Sequence, residues 1–169
     1  IIMMVIYQIF LVAQKTFTIT NERLELTQNA RIFLDRLSRE LRQTPDIATS
    51  LPATKTVAGF PPAKEIMFQD GHDVHDIQYV RYFLDNGLIK RQKLVYFFAA
   101  DPYTYVSYNA TDNFNNSPQK HVLEEKIIAE YATQIIFYGN KTTYLEIFLS
   151  KGSSSEHFYA GVWGRNTRY

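Results

Sequence analysis

The sequence predicts an α+β fold in which one long N-terminal helix packs on an antiparallel β-sheet, and three observations predict it. Apolar residues recur at spacings of three and four with no Gly or Pro before Pro45; Asn86-Gly87 sits between two strand-like runs; and further short strand-like runs, parted by Gly- and Asn-containing turns, continue toward the C-terminal end. A long helix followed by consecutive strands gives a layer in which the sheet covers the C-terminal half of the helix.

The helix begins in an apolar run, Ile1 to Gln14, that no charge interrupts before Lys15. A bilayer span needs ~20 apolar residues, so this run reads as the second half of a membrane helix whose beginning lies ahead of Ile1. A signal peptide has a basic start and a small-residue cleavage site, and Ile1 to Thr20 shows neither. Beyond it, Leu26, Ala30, Phe33, Leu34, Leu37 and Leu41 form an amphipathic stripe, with Arg31, Asp35, Arg39 and Arg42 on other faces. Arg36 with Glu40, and Asp35 with Arg39, stand four apart and are expected to pair in solvent for about 0.3–0.5 kcal/mol each. Pro45 ends the pattern and biases Thr44 out of the α region. A helix of this extent is about 65 Å long at ~1.5 Å per residue, so part of it must lie in lipid or against neighbouring copies. The chain divides accordingly into a helix segment over residues 1–20 and a head over residues 21–169.

Asp46 to Ala63, with Pro52, Gly59 and Pro61-Pro62, reads as a connecting loop. Strands are expected at Glu65–Phe68, Asp76–Leu84 and Leu88–Phe98, the last two joined by a type I′ turn at Asn86-Gly87, where both central residues need φ > 0. Ala99 to Gln119 is Asn-, Asp-, Tyr- and Ser-rich and reads as a long excursion from the sheet. Further strands are expected at Lys126–Tyr138, either continuous or broken near Glu130, at Thr143–Leu149 and at His157–Arg165, turned by Gly139-Asn140-Lys141 and Gly152 to Ser155.

Composition narrows the function. At 169 residues the chain suits one compact domain plus an anchor. Eighteen Lys and Arg against 17 Asp and Glu leave a net charge of +1, which offers no long-range field for nucleic acid, and no nucleic-acid partner is expected. The absence of Cys removes disulfides, thiolate nucleophiles and zinc-thiolate sites, as fits an envelope protein that does without disulfides. Aromatic residues make up 15%, concentrated between Tyr79 and Tyr108, as a half-buried sheet surface requires.

Asp70, His72, Asp73, His75 and Asp76 could together bind a divalent cation, but they lack EF-hand spacing and read first as a polar turn before a strand; no metal or other cofactor is expected. His121 and His157 neighbour no recognised nucleophile motif, and Glu124-Glu125 lie on opposite faces of a strand, which rules out a paired acid there. No catalytic residue is therefore assigned. Asn109, Asn115 and Asn140 each begin a glycosylation-type tripeptide, a pattern that Asn-rich loops also generate by chance. Tyr96-Phe97-Phe98 with Tyr103, Tyr105 and Tyr108 reads as a strand and loop laying aromatic faces on the sheet, with sugar or base stacking as the alternative.

Four stretches carry a family resemblance: Leu37-Ser-Arg-Glu-Leu-Arg-Gln43, Ile77-Gln-Tyr-Val-Arg-Tyr-Phe-Leu84, Asn86-Gly-Leu-Ile-Lys-Arg91, and a terminal strand ending Gly164-Arg-Asn166. In this order and spacing, over essentially the whole chain, they resemble the type IV pilins and type II secretion pseudopilins, and within them the larger minor pseudopilins of the J class and the W-type minor pilins. The resemblance implies a pilin-like fold and a non-enzymatic subunit that resides in the bacterial inner membrane with a periplasmic head, then enters a periplasmic or extracellular filament. Its partners would be other pilin or pseudopilin subunits, met through Ile2, Val5, Ile6, Ile9, Phe10, Val12 and Phe17. A tip or priming subunit is favoured, with the main filament subunit as the alternative. The family's processing site before a Phe, and the Glu soon after it, have no counterpart in this sequence; judged by spacing, about a dozen residues are expected ahead of Ile1 to complete the membrane segment. A reading of a different class is a single-span envelope receptor whose aromatic face takes a sugar or peptide.

Overall fold

A computed structural model describes residues 2–72 and 76–164. Its first element, α1 (Ile2–Gln43), is one unbroken helix whose buried residues are Leu26, Ala30, Phe33, Leu37 and Leu41. These follow the three-and-four spacing read from the sequence, and Leu34 sits half-buried at the margin of the stripe. The helix stops ahead of Pro45, which cannot continue it. Thr44 turns into the fold and its hydroxyl donates to the Gln69 carbonyl at 2.7 Å.

Among the described residues the strands form two antiparallel sheets. The first has the order β1 (Glu65–Gln69), β2 (Tyr79–Asp85), β3 (Leu88–Phe97), β4 (Gln119–Ala129); the second has the order β5 (Ala132–Tyr138), β6 (Thr142–Lys151), β7 (Ser154–Trp163). A long N-terminal helix on antiparallel sheet is thus the architecture, with two sheets in place of one. The division falls near Glu130, so of the two readings of the Lys126–Tyr138 run the broken one holds. Tyr131 has φ +64°, a conformation no strand continues through, and it turns the chain out of the first ladder into the second. Ala63 exchanges two backbone hydrogen bonds with Phe137 on the edge of β5, and Ala132 N donates to Gly87 O at 2.9 Å, which tacks the sheets together.

Three strand starts differ substantially from the sequence reading: β2 begins at Tyr79 rather than Asp76, and two others shift for a physical reason. β4 starts at Gln119 rather than Lys126, because Gln119 to Leu123 is exposed on both faces and therefore lacks the alternation that marks a strand. Its pairing with β3 slips opposite Ile89/Lys90 and Lys93/Leu94, and such irregularities blunt an otherwise long open edge. β7 starts at Ser154 rather than His157, since the tight turn at Gly152-Ser153 lets pairing begin immediately, with Lys151 opposite Ser154. The expected end of that strand at Arg165 lies outside the described residues. The β2–β3 turn has φ +49° at Asn86 and +80° at Gly87, with Asp85 opposite Leu88, the two-residue type I′ connection that the Asn-Gly pair predicts.

The core lies between the helix stripe and the inner faces of both sheets, Ile66, Phe68, Val80, Tyr82 and Ile89 from one and Ile135, Phe137, Leu145, Ile147 and Leu149 from the other. Phe33 meets Tyr82 edge-on at 5.9 Å between ring centres. Glu40 enters this core as well. Its carboxylate accepts hydrogen bonds from Tyr82 OH at 2.8 Å and Arg91 Nε at 3.1 Å, and Arg36 Nε lies 3.3 Å away. The pairing of Arg36 with Glu40 expected in solvent is therefore part of a buried network, because Glu40 falls at the edge of the apolar stripe where sheet covers it. Asp35, expected beside Arg39, lies 3.8 Å from Arg31 instead, one turn back on the exposed side. Burial, and then the neighbouring Glu40 charge, push the Tyr82 phenol far above its ordinary range, so it remains a hydrogen-bond donor.

Leu37→Ala is expected to destabilise the head by ~2–5 kcal/mol, the usual range for emptying a fully buried leucine site; chemical denaturation measures it. Gly87→Val should cost more than ~1 kcal/mol through backbone strain alone, since a Cβ there meets nothing closer than 3.8 Å. An unchanged melting temperature would contradict the positive φ at this turn.

Candidate functional site

The feature that the head leaves unused is the N-terminal half of α1. Ile2, Val5, Ile6, Ile9, Phe10, Val12 and Phe17 are between 49% and 77% exposed. All lie before the first buried helix residue, Leu26, and among the described residues no element of the head covers them. At 100° per residue they span a broad face, and Met3, Met4 and Leu11 extend the apolar surface around most of the circumference. A helix apolar around most of its circumference is one meant for burial in lipid or protein. This one is long and apolar enough to cross a membrane.

The threonines at the top of this segment do not spoil its apolar character. Thr16, Thr18 and Thr20 each donate their hydroxyl to the carbonyl four residues back, at 2.9, 3.1 and 2.9 Å, so these polar groups need no water. No sequence pattern flagged them. Their β-branched shape alone lowers helix propensity, and only the back-bonding shows what they contribute.

Where the exposed half enters the head, a polar collar grips the helix. The Glu22 carboxylate accepts from Ser154 Oγ at 3.0 Å and from Ser153 N at 3.3 Å; Arg23 lies 3.6 Å from Glu156; Glu25 pairs with Lys151; and Asn29 Oδ1 accepts from Glu130 N at 2.9 Å. The tip of the β6–β7 hairpin makes this possible. Gly152 has φ +56° and lies so close to Glu22 that a Cβ would overlap its carboxylate, which glycine alone avoids without rearrangement. Collar residues were missed in the sequence because their partners stand more than a hundred positions away. The run of hydroxyls and glycine at Gly152 to Ser155 was legible only as a turn.

Other constellations resolve into structural roles. Asp70 is buried; its Oδ1 lies 2.7 Å from His72 Nδ1 and accepts from the His72 backbone at 3.1 Å, and Lys93 lies 3.5 Å away. Asp73 and His75 fall outside the described residues. Among the described residues no group of three or more acidic or histidine side chains converges as a metal site would need. Glu124 reaches Arg91 and Lys126 while Glu125 reaches Gln92 and Lys90, on opposite faces of β4. The aromatic cluster is partly packing: Tyr79 meets Tyr96 and Tyr108 edge-on at 5.5 and 5.6 Å, whereas Tyr103 is 92% exposed. Asn109, Asn115 and Asn140 are exposed.

His157 does have an acidic neighbour. Its Nε2 lies 3.0 Å from Glu146 on β6, a buried carboxylate that also accepts from Lys55 at 2.7 Å and Tyr138 at 2.9 Å. The His157 ring stacks on Phe148 at 4.1 Å. Lys55 belongs to the Asp46–Ala63 loop, so this cluster straps the loop across the outer face of the second sheet.

Comparison with protein-family models, with curated proteins and with solved structures returned no match. Burial alone would raise the Glu146 pKa, but hydrogen bonds from Lys55 and Tyr138, the Lys55 charge and the His157 contact outweigh it and hold the carboxyl below its ordinary value. A native pKa below the unfolded one contributes stability that is present above the unfolded carboxylate range and is lost as pH falls through the native value. Glu146→Gln should therefore flatten the loss of stability of the head on acidification below about pH 5, where unfolded carboxylates begin to protonate. Denaturation midpoints across that range measure it, and an unchanged slope would show that the strap contributes nothing.

Proposed function

We propose that this chain is a structural filament subunit of the type IV pilin and type II pseudopilin kind, held in the membrane by α1 before assembly and packed through the same helix segment afterwards. The observation that carries the reading is one continuous helix whose C-terminal half is the core of the head while its apolar N-terminal half is bare. Fully burying an apolar side chain of this size is worth ~1.5–3 kcal/mol, so Ile2, Val5, Ile6, Ile9, Phe10, Val12 and Phe17 alone represent roughly 10–20 kcal/mol of gross driving force. Such a surface is stable in lipid or against other helices, and transfer from one to the other keeps most of that term while the head stays in water.

The role is mechanical and needs no catalytic group. The resemblance in the order of elements favours a tip or priming subunit, with the main filament subunit as the alternative. These differ in whether copies of this chain touch one another. In a bacterial envelope the head would face the periplasm, and the filament would stand there or outside the cell.

Removing residues 1–20 should leave a soluble, folded head that no longer enters membranes or filaments. Val5→Ala should leave the head's melting temperature unchanged and weaken assembly, the reverse of Leu37→Ala. Fractionation, cross-linking and thermal denaturation of the three variants separate the two halves of the helix. A truncated chain that still co-purifies with filaments at normal yield would sink the reading, and a receptor with a simple anchor would show membrane association with no helix-to-helix cross-links.

A further inference from the structure

Along one side of α1 runs a polar stripe with heptad spacing, Gln8, Lys15, Glu22, Asn29 and Arg36. Seven residues fall about 20° short of two full turns, so the stripe is nearly straight and passes from the bare half into the head. Its upper members have partners within the chain: Glu22 with Ser153 and Ser154, Asn29 with Glu130, and Arg36 with Glu40. Gln8 and Lys15 are exposed and have none among the described residues.

Two opposite charges on this stripe are left uncompensated. Glu22 is half-buried and is met by hydroxyls and a backbone N–H but by no cation among the described residues. Lys15 is the sole charge on the helix before Glu22, set among Leu11, Val12 and Ile19. Seven residues separate the two by about 10.5 Å along the axis, too far to pair on one helix. A second helix, parallel to the first and displaced by one heptad, brings them level.

We propose that Lys15 of one subunit pairs with Glu22 of a second copy of this chain, and that this pair sets the axial step between neighbouring helices. The proposal rests on the filament reading and selects, within it, a repeating position over a solitary one at the tip. Apolar helix faces are non-directional and tolerate sliding. A charged pair does not, because every other register leaves Lys15 beside apolar side chains and the Glu22 carboxylate with neutral partners alone. The contact is heterologous: each copy offers Lys15 to one neighbour and Glu22 to another, so it propagates without closing.

The chain has no Cys, so introduced thiols report only on chosen positions. Leu11→Cys and Thr18→Cys lie one turn before Lys15 and Glu22, are both exposed, and leave the two charges in place. The two single-cysteine full-length chains, tagged differently and co-expressed in membranes, are oxidised and separated without reductant. The expected result is that 11-to-18 cross-links dominate over 11-to-11 and 18-to-18. That preference should fall about fivefold or more in Lys15→Gln and equally in Glu22→Gln, as for loss of a partly buried ion pair. Dominant 11-to-11 and 18-to-18 cross-links, or a preference indifferent to Lys15→Gln, overturn the pairing. Sensitivity to Lys15→Gln without sensitivity to Glu22→Gln identifies a lipid phosphate as the lysine's partner and equally overturns it. Absence of every cross-link, with the helix still in the membrane, shows that copies of this chain do not touch, as for a solitary tip subunit, and overturns the pairing. The filament reading itself fails only if the chain lacking residues 1–20 still enters filaments.

Discussion

Among the described residues the two sheets share no ladder; what chiefly unites them is the apolar stripe of α1. Leu26, Ala30, Phe33, Leu37 and Leu41 present one surface against which the inner faces of both sheets close. A sheet of three or four strands with one apolar face must cover that face, and here a single helix covers both. The head is therefore organised around the segment that also continues out of it. Glu40 adds direction to this packing: a carboxylate accepting from Tyr82 and Arg91 is satisfied in one rotational setting of the helix, whereas leucines would accept several.

That arrangement gives the collar its importance. Before Leu26 no described helix residue is fully buried, and the helix would be free to splay from the head if only its upper half were packed. Glu22, Arg23, Glu25 and Asn29 tie it to the β6–β7 hairpin and the β4–β5 corner at the last level where the head can reach. These are individually weak, partly solvated contacts. Their value lies in being several and in acting at the end of a long element.

Elements with strong local signals were legible in the sequence. The helix, its stripe and its end at Pro45 followed from periodicity and proline chemistry, and the Asn86-Gly87 turn from the need for two positive φ angles. Gln119 to Glu125 was not legible, because a strand exposed on both faces carries no alternation. The division into two sheets depended on a positive φ at Tyr131, a residue type that gives no warning of it. The apolar candidate surface was readable as composition, since nothing in the head has to be known to see that thirteen residues pass without a charge after Ile1. The buried partners of Glu40 and Glu146 could not be read, because a charged residue on a strand or helix carries no mark of whether distant segments will cover it.

The absence of Gly and Pro from Ile2 to Gln43 has a consequence for load. Flexible tethers absorb displacement; an uninterrupted helix transmits it. A push on the head is passed along the rod to its far end with no joint in between, and a tilt of the buried end sweeps the bare end through an arc set by the full lever. Tension and torque enter through the hairpin tip and the corner at Tyr131, where the ties run across the axis and are loaded in shear. Strength under pulling would then be governed by the shortest-lived of those lateral ties, and stiffness by the hydrogen-bonded column itself.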